Sequence, residues 1–311
     1  MRGVPKTPPV LRIILGPTAA GKSGIAMALA RERPLAIVSA DSRQIYQQFD
    51  IGTAKPTAGD RAAVPHYGID IISPLERYSA HAWAAGALAW CADASAMGLT
   101  PVVVGGTGFY VRALTSPLDQ VPLLDSAARE QLGAWLDGLD AATLSRWSSV
   151  LDPARSTLGR TQQLRAVETA LLTGRRLSDA LGKGGSPRRA ARYLVVDPGA
   201  VLGSRISDRV GRMLDAGWMN EVAELAAVVA PDAPAWKASG YQTMRACLHG
   251  QLSLRDATER VVIETRQYAK RQRTWCRHQL FDGPVSHLNP DRADALERAL
   301  AWWDGSDLET E

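Results

Sequence analysis

The octet GPTAAGKS, residues 16–23, follows the apolar run VLRIIL and constrains this chain more than any other feature. Gly16-x-x-x-x-Gly21-Lys22-Ser23 meets the whole pattern of a phosphate-gripping loop, in the strand–loop–helix setting that the pattern needs. Glycines let backbone N–H groups converge on phosphate oxygens, and the N-terminus of the following helix adds its partial positive charge. Pro17, Thr18, Ala19 and Ala20 span the cradle between the glycines. Lys22 is the expected partner of a terminal phosphate, and Ser23 Oγ the expected ligand of Mg²⁺. The octet does not identify the molecule whose phosphates it holds. A kinase, an ATP-driven machine and an enzyme that releases pyrophosphate can all carry it.

The rest of the chain repeats the theme of an apolar run ending in small or polar residues. Val10 to Leu15 reads as a buried strand, SGIAMALARER as the next helix, and LAIVSADS as a second strand. TPVVVGGTGFYVRAL is a third strand, a glycine turn and a helix, preceded by the Ala-rich helical stretch HAWAAGALAWCADASAMG. Strands alternating with helices predict an α/β fold with a parallel, P-loop NTPase-like sheet flanked by helices. In such sheets ligands lie at the carboxyl ends of strands. From about Pro117 the text turns polar and helix-prone until ARYLVVDPG returns a core strand. Residues 118–192 are therefore expected to form an inserted small helical domain, with KGGSP at 183–187 as its flexible loop. Residues 1–117 and 193–311 form the core, which closes on helices such as RISDRVGRMLDAGWMNEVAEL and LRDATERVVIETRQYAKRQRTWCRHQ. The acidic tail DGSDLETE is expected to fray.

Composition excludes several classes. The 46% hydrophobic and 22% charged content is that of an ordinary globular chain. A net charge of +4 is too small to argue for nucleic acid unless the charge is concentrated. Cys91, Cys247 and Cys276 make no CxxC pair, so neither a disulfide framework nor a zinc site is expected. MRGVPKTPPV carries no signal-type apolar segment, and no run approaches a membrane span. A cytoplasmic protein is expected.

Three further positions carry chemistry on a strand end or loop. Asp41 closes LAIVSAD, where it can ligate Mg²⁺, act as a general base, or cap a helix beginning at Ser42. Lys55 in DIGTAKP is either a phosphate contact or a solvated surface lysine. Thr107 in GGTGFYVRAL offers a hydroxyl where two glycines allow close backbone approach, or else marks a tight strand–helix turn.

GPTAAGKS, SADSRQIY, DIGTAKP, VPHYGIDIISP, VVVGGTGFYVRAL and TRQYAKRQRTW occur in this order between Leu11 and Trp275. Together they resemble the tRNA dimethylallyltransferases, also called tRNA isopentenyltransferases, of the bacterial type. The resemblance implies transfer of a five-carbon prenyl group from dimethylallyl diphosphate to N6 of adenosine 37, beside the tRNA anticodon. On that reading the phosphate loop holds the donor's diphosphate rather than ATP. Asp41 matches the family's general base, Thr107 the threonine beside the reacting centre, and Arg209 an arginine on the diphosphate. Lys22 and Lys55 join the diphosphate set, Ser42 and Gln44 the tRNA set, and the inserted domain helps clasp the anticodon stem-loop. Where the family commonly shows Gly-Tyr followed by Lys, this chain has Gly240-Tyr241-Gln242-Thr243. A monomer is expected.

Charge placement adds an RNA side. Residues 266–278 hold five Lys/Arg and no acid, with Arg266, Lys270, Arg273 and Arg277 on one helical face. Residues 175–192 hold six against Asp179. Such runs are often only solvated faces. Two of them, one interleaved with Tyr268 and Trp275, make Arg266, Lys270, Arg273 and Arg277 the expected tRNA contacts. The competing readings are a nucleotide kinase-like phosphotransferase and an adenylate dimethylallyltransferase acting on free nucleotide. A non-catalytic RNA-binding protein with a vestigial loop is a third.

Overall fold

The computed structural model describes residues 10–116, 124–180, 189–280 and 283–305. Its chain forms two compact units, Met1–Thr115 with Arg188–Glu311, and Ser116–Pro187. The N-terminal nine residues, the expected loop at 183–187, Lys183, Arg188 and the tail beyond Gly305 lie outside the described residues.

The larger unit opens with strand β1 (Leu11–Leu15), helix α1 (Lys22–Glu32), β2 (Leu35–Ala40), α2 (Ala58–Ala63), β3 (His66–Tyr67), α3 (Ala80–Ala96), β4 (Thr100–Gly105) and α4 (Gly108–Thr115). The smaller unit contributes α5 (Ser126–Asp137), α6 (Ala141–Leu151), α7 (Arg160–Thr173) and α8 (Leu177–Ala180). The chain then returns through β5 (Ala191–Val196), α9 (Leu202–Asp215), α10 (Trp218–Val228), α11 (Tyr241–Leu248), α12 (Leu254–His278), β6 (Val285–Leu288) and α13 (Ala295–Asp304).

The six strands form one parallel sheet in the order β3-β2-β4-β1-β5-β6. A parallel sheet covered by helices needs strands that are apolar on both faces. The central strands meet this need: β2 is buried along its whole length, and β1 has one half-buried residue. On one face α1 and α13 pack Leu29, Ala299, Trp302 and Trp303 against Ile14, Val104, Leu194 and Val196. Elsewhere Trp83 of α3 stacks on Tyr110 of α4 with centroids 4.7 Å apart and donates its indole N–H to Ser39 O at 3.0 Å. The edge strands β3 and β6, two and four residues long, carry too little apolar text to be read as strands from sequence.

Register fixes the site. Leu15 lies level with Gly105 and Val195, and Ala40 level with Gly105. The segments that leave β1, β2, β4 and β5 therefore emerge side by side, at the roughly 4.8 Å spacing of neighbouring strands. Ala191 and Arg192, counted by sequence with the helical insertion, belong to β5 and pair with Leu11 and Arg12. The Arg192 guanidinium donates to Trp302 O and Gly305 O at 2.8 Å, so it ties the end of α13 to the sheet rather than facing RNA.

The smaller unit has its own apolar centre, where Leu136, Leu144 and Val167 are buried among Leu132, Leu139, Leu151 and Leu164. Asp125 and Asp140 accept the backbone N–H groups of Ala128 and Thr143, which caps α5 and α6.

Candidate active site

Gly16 opens the phosphate loop at φ 147°, and a Cβ there would lie 2.1 Å from Val196 O. Gly21, at φ 93°, occupies the left-handed region and caps α1. Lys22 is the first residue of α1 and folds back to donate to Pro17 O at 2.7 Å. Burial pulls the Lys22 ammonium down to about 8, the nearby Arg209 charge adds to the effect, and Asp41 opposes it. Ser23, the next residue, is exposed, and its hydroxyl has no hydrogen-bonding partner among the described residues.

Two side chains from distant helices reach Thr18. Arg209, on α9, donates to Thr18 Oγ1 at 3.2 Å. Burial lowers this guanidinium from its ordinary value, against the pull of Asp41. Gln272, on α12, accepts the Thr18 N–H at 2.7 Å and donates to Gly106 O at 2.9 Å. One buried amide thus clips the phosphate loop to the turn after β4.

Asp41 follows β2 directly and its Oδ1 accepts the Arg43 N–H at 2.8 Å. No helix starts at Ser42; residues 42–45 form a turn, so the helix-cap reading of Asp41 is corrected to an Asx-type turn. Thr107 holds this turn: its N–H donates to Ala40 O at 3.1 Å and its Oγ1 accepts the Ser42 N–H at 3.1 Å. Burial pushes the neighbouring Tyr268 phenol up to about 12, Asp41's charge adds to this, and the Thr107 side chain opposes it. Asp41, Thr107, Tyr268, Arg209 and Thr18 thereby share one neighbourhood.

Other expected site residues have partners within the fold. The Lys55 side chain is 2% exposed, and its ammonium is spent on Tyr46 O at 2.6 Å, Asp50 at 2.5 Å and Asp70. All three donors are used within the fold, so Lys55 stiffens its loop. Gln44, expected on RNA, accepts from Ser39 Oγ at 2.9 Å and donates to Thr53 O and Ala54 O. Arg273 forks onto Asp197 at 2.8 and 2.5 Å and also donates to Gly199 O, which locks α12 to the end of β5. Arg266 is partly engaged, with Gly203 O at 3.4 Å and Ser207 Oγ at 3.3 Å. Lys270 and Arg277 are exposed, and their side chains have no ionic or hydrogen-bonding partner among the described residues. The predicted basic face is therefore half structural and half open.

Sequence reasoning missed the supports. Glu221 of α10 accepts the N–H groups of Asp50 and Ile51 at 2.9 and 2.6 Å, and its other oxygen accepts the Tyr241 hydroxyl at 2.6 Å. A single carboxylate thus fixes the loop that carries Gly52 and Thr53. Gln242 is exposed, whereas Thr243 is buried and donates to Glu264 at 3.0 Å, so this chain uses the position to join α11 to α12.

These elements line an open cleft. Thr18, Asp41, Arg43, Arg209 and Tyr268 supply polar lining, and Ile206, Val210, Met213, Trp218 and Val261 supply apolar lining. An anion-binding mouth joined to an apolar interior suits an amphiphilic phosphate ester. The residues also fit a magnesium ion. Ser23 offers an open hydroxyl at the loop, and Mg²⁺ takes most of its ligands from phosphate oxygens and water. Among the described residues no cluster of three or more His, Cys, Asp or Glu is arranged to hold a metal, and the three cysteines are free. No helix among them is long and apolar enough to cross a membrane.

A family model described as IPP transferase matches residues 44–279, and one described as isopentenyl transferase matches residues 9–63. The chain is 39% identical to a tRNA dimethylallyltransferase of Burkholderia ambifaria, over 94% of this chain and 96% of that relative. Among solved structures it is similar to the tRNA isopentenylpyrophosphate transferase of Bacillus halodurans, with 30% identity, a TM-score of 0.66 and coverage of 94% and 93%. The fold also matches a eukaryotic dimethylallyltransferase crystallised acting on tRNA, at a TM-score of 0.79 and 24% identity, over 98% of this chain and 82% of that one.

Proposed function

From the premise that this chain belongs to the IPP transferase family, we propose that it moves the dimethylallyl group of dimethylallyl diphosphate to N6 of adenosine 37 in tRNA. The observation that carries this reading is the single cleft in which Asp41, Thr18 and Arg209 meet an apolar wall. A nucleoside triphosphate has no apolar tail to fill such a wall; a prenyl diphosphate has.

The chemistry follows from the groups present. An adenine N6 lone pair is delocalised into the ring, so the amine attacks only as its proton leaves. Asp41, aimed by its turn and by Thr107, accepts that proton while the N6–C1 bond forms and the C1–O bond of the donor breaks. Negative charge grows on the departing diphosphate. Lys22, Arg209 and the N–H groups at the head of α1 oppose it, and they are most effective because they are already positioned in a site shielded from water. Ser23 would hold Mg²⁺, which supplies further charge neutralisation to the diphosphate when bound. The apolar lining keeps water from the allylic carbon, whose positive charge it would otherwise quench. The adenine must leave its stack to reach this cleft, which an unpaired anticodon loop permits.

Exposed Lys270 and Arg277 serve the tRNA backbone, and the smaller unit, Ser116–Pro187, serves the anticodon stem-loop. The enzyme works in the cytoplasm, as a monomer. The test presents the protein with labelled dimethylallyl diphosphate or labelled ATP, each with and without tRNA. Label passing from the prenyl donor to tRNA alone is expected. Phosphate transfer from ATP without prenyl transfer would assign the loop to a kinase, and prenylation of free adenylate would remove the tRNA.

A further inference from the structure

The cleft has a direction. At its polar end, α9 meets the phosphate loop: Arg209 bonds Thr18, and Ile206 packs beside Ala19 and Ala269. At the other end, α9 runs out at Asp215 and the chain turns through Gly217 into α10, whose first residue is Trp218. Met213 lies one turn beyond Arg209 on the same helix, about 6 Å along its axis. Both Met213 and Trp218 line the cleft.

Trp218 is held where it stands. It is 1% exposed, and a Cβ on Gly52 would fall 2.2 Å from its Nε1, one on Gly240 2.5 Å from its Cη2. The Tyr241 ring meets it edge-on at 5.5 Å, and Tyr241 is itself bonded to Glu221. Two glycines are kept bare to seat this indole, and the loop behind it is pinned. The far wall therefore cannot yield without disturbing loop 50–52, α10 and α11 together.

We propose that Met213 and Trp218 form the end wall of the prenyl pocket and set its length limit, admitting a five-carbon allylic diphosphate and rejecting a ten-carbon one. The inference rests on the proposed donor and adds what selects its size. One helical turn between the diphosphate-binding guanidinium and the wall accommodates a branched four-carbon chain with its methyl. A second isoprene unit meets the indole. Close-packed side chains backed by other packed side chains do not shift to admit several extra carbons at low cost.

The measurement compares geranyl with dimethylallyl diphosphate as donors to the same tRNA, as a ratio of kcat/KM. The wild-type ratio is expected below about one in a hundred. Met213→Ala should raise it about tenfold and Trp218→Leu by more, on the scale by which apolar pockets sort substrates. Calorimetry with the unreactive five- and ten-carbon thiolodiphosphates gives a binding ratio without turnover, so a failure of the proposed transfer reaction leaves this claim open to test. If Trp218→Leu does not fold, Met213→Ala alone carries the comparison. Equal use or equal binding of both chain lengths by the wild type, or folded variants with an unchanged ratio, would overturn the end wall.

Discussion

Residues 16–21 and 105–108 leave adjacent strands at the same edge of the sheet, and both are glycine-rich. In the first turn, Gly16 avoids Val196 O, Gly21 supplies a left-handed φ, and the hydroxyl of Ser23 beyond it stays open. In the second, the space beside every glycine is taken by protein. A Cβ on Gly105 would lie 2.2 Å from Ala40 O, one on Gly106 2.2 Å from Gln272 Nε2, and one on Gly108 2.1 Å from the Trp275 ring. Beyond its glycines the first turn leaves a hydroxyl open to a ligand; in the second, Gly106 and Gly108 are bare so that α12 can dock. A glycine run after a strand announces close approach, but its text does not say what approaches.

If that contrast is right, damage to the first turn is chemical and damage to the second is structural. The largest effect belongs to the chemistry beside the first turn. Asp41→Asn should lower turnover by about 10²–10⁴ while tRNA affinity stays, and Lys22→Met by about 10²–10³, neither with loss of melting temperature. Gly108→Ala should instead destabilise the fold by about 1–3 kcal/mol through overpacking against Trp275, read as an earlier urea midpoint. If Gly108→Ala kept full stability and lost only donor binding, the contrast would collapse.

The pH dependence sharpens it. Burial holds Lys22 near 8 in the free protein, so its ammonium loses a proton as pH rises through that value. Donor affinity, measured at fixed salt, should therefore weaken between about pH 7 and 9, and Lys22→Met should remove that slope. The smallest effect separates the two halves of the basic face. Arg277→Ala should reduce the log–log salt slope of tRNA binding by about one, whereas Arg273→Ala should leave it unchanged, because Arg273 is committed to Asp197. Equal slopes for the two variants would break the division of α12 into a docking and an RNA-facing side.

The sequence made the phosphate loop, the parallel α/β plan and the long basic helix legible, because each is a local pattern. Gly16 to Ser23 needs only its own spacing, and β1, β2, β4 and β5 announce themselves as short apolar runs. What stayed hidden is tertiary. Lys55 reads as a loop lysine until Asp50, Asp70 and Tyr46 O surround it. Arg273 shares a helical face with Arg277, yet the end of β5 lies beneath one and not the other. Gln272 and Glu221 act through bonds to backbone more than 160 residues away, and no periodicity reports such a bond. Trp218 is one apolar residue among many until two bare glycines frame it.

The central claim is that the phosphate loop holds a leaving group for alkylation of RNA. It is tested most directly by incubating the protein with unmodified tRNA, dimethylallyl diphosphate and Mg²⁺, then measuring nucleoside masses in the digest. The account predicts that adenosine 37 alone gains the mass of one five-carbon prenyl unit, with release of one diphosphate, and that Asp41→Asn slows the gain by about 10²–10⁴. Unchanged adenosine 37 alongside a phosphorylated product formed from ATP would contradict it.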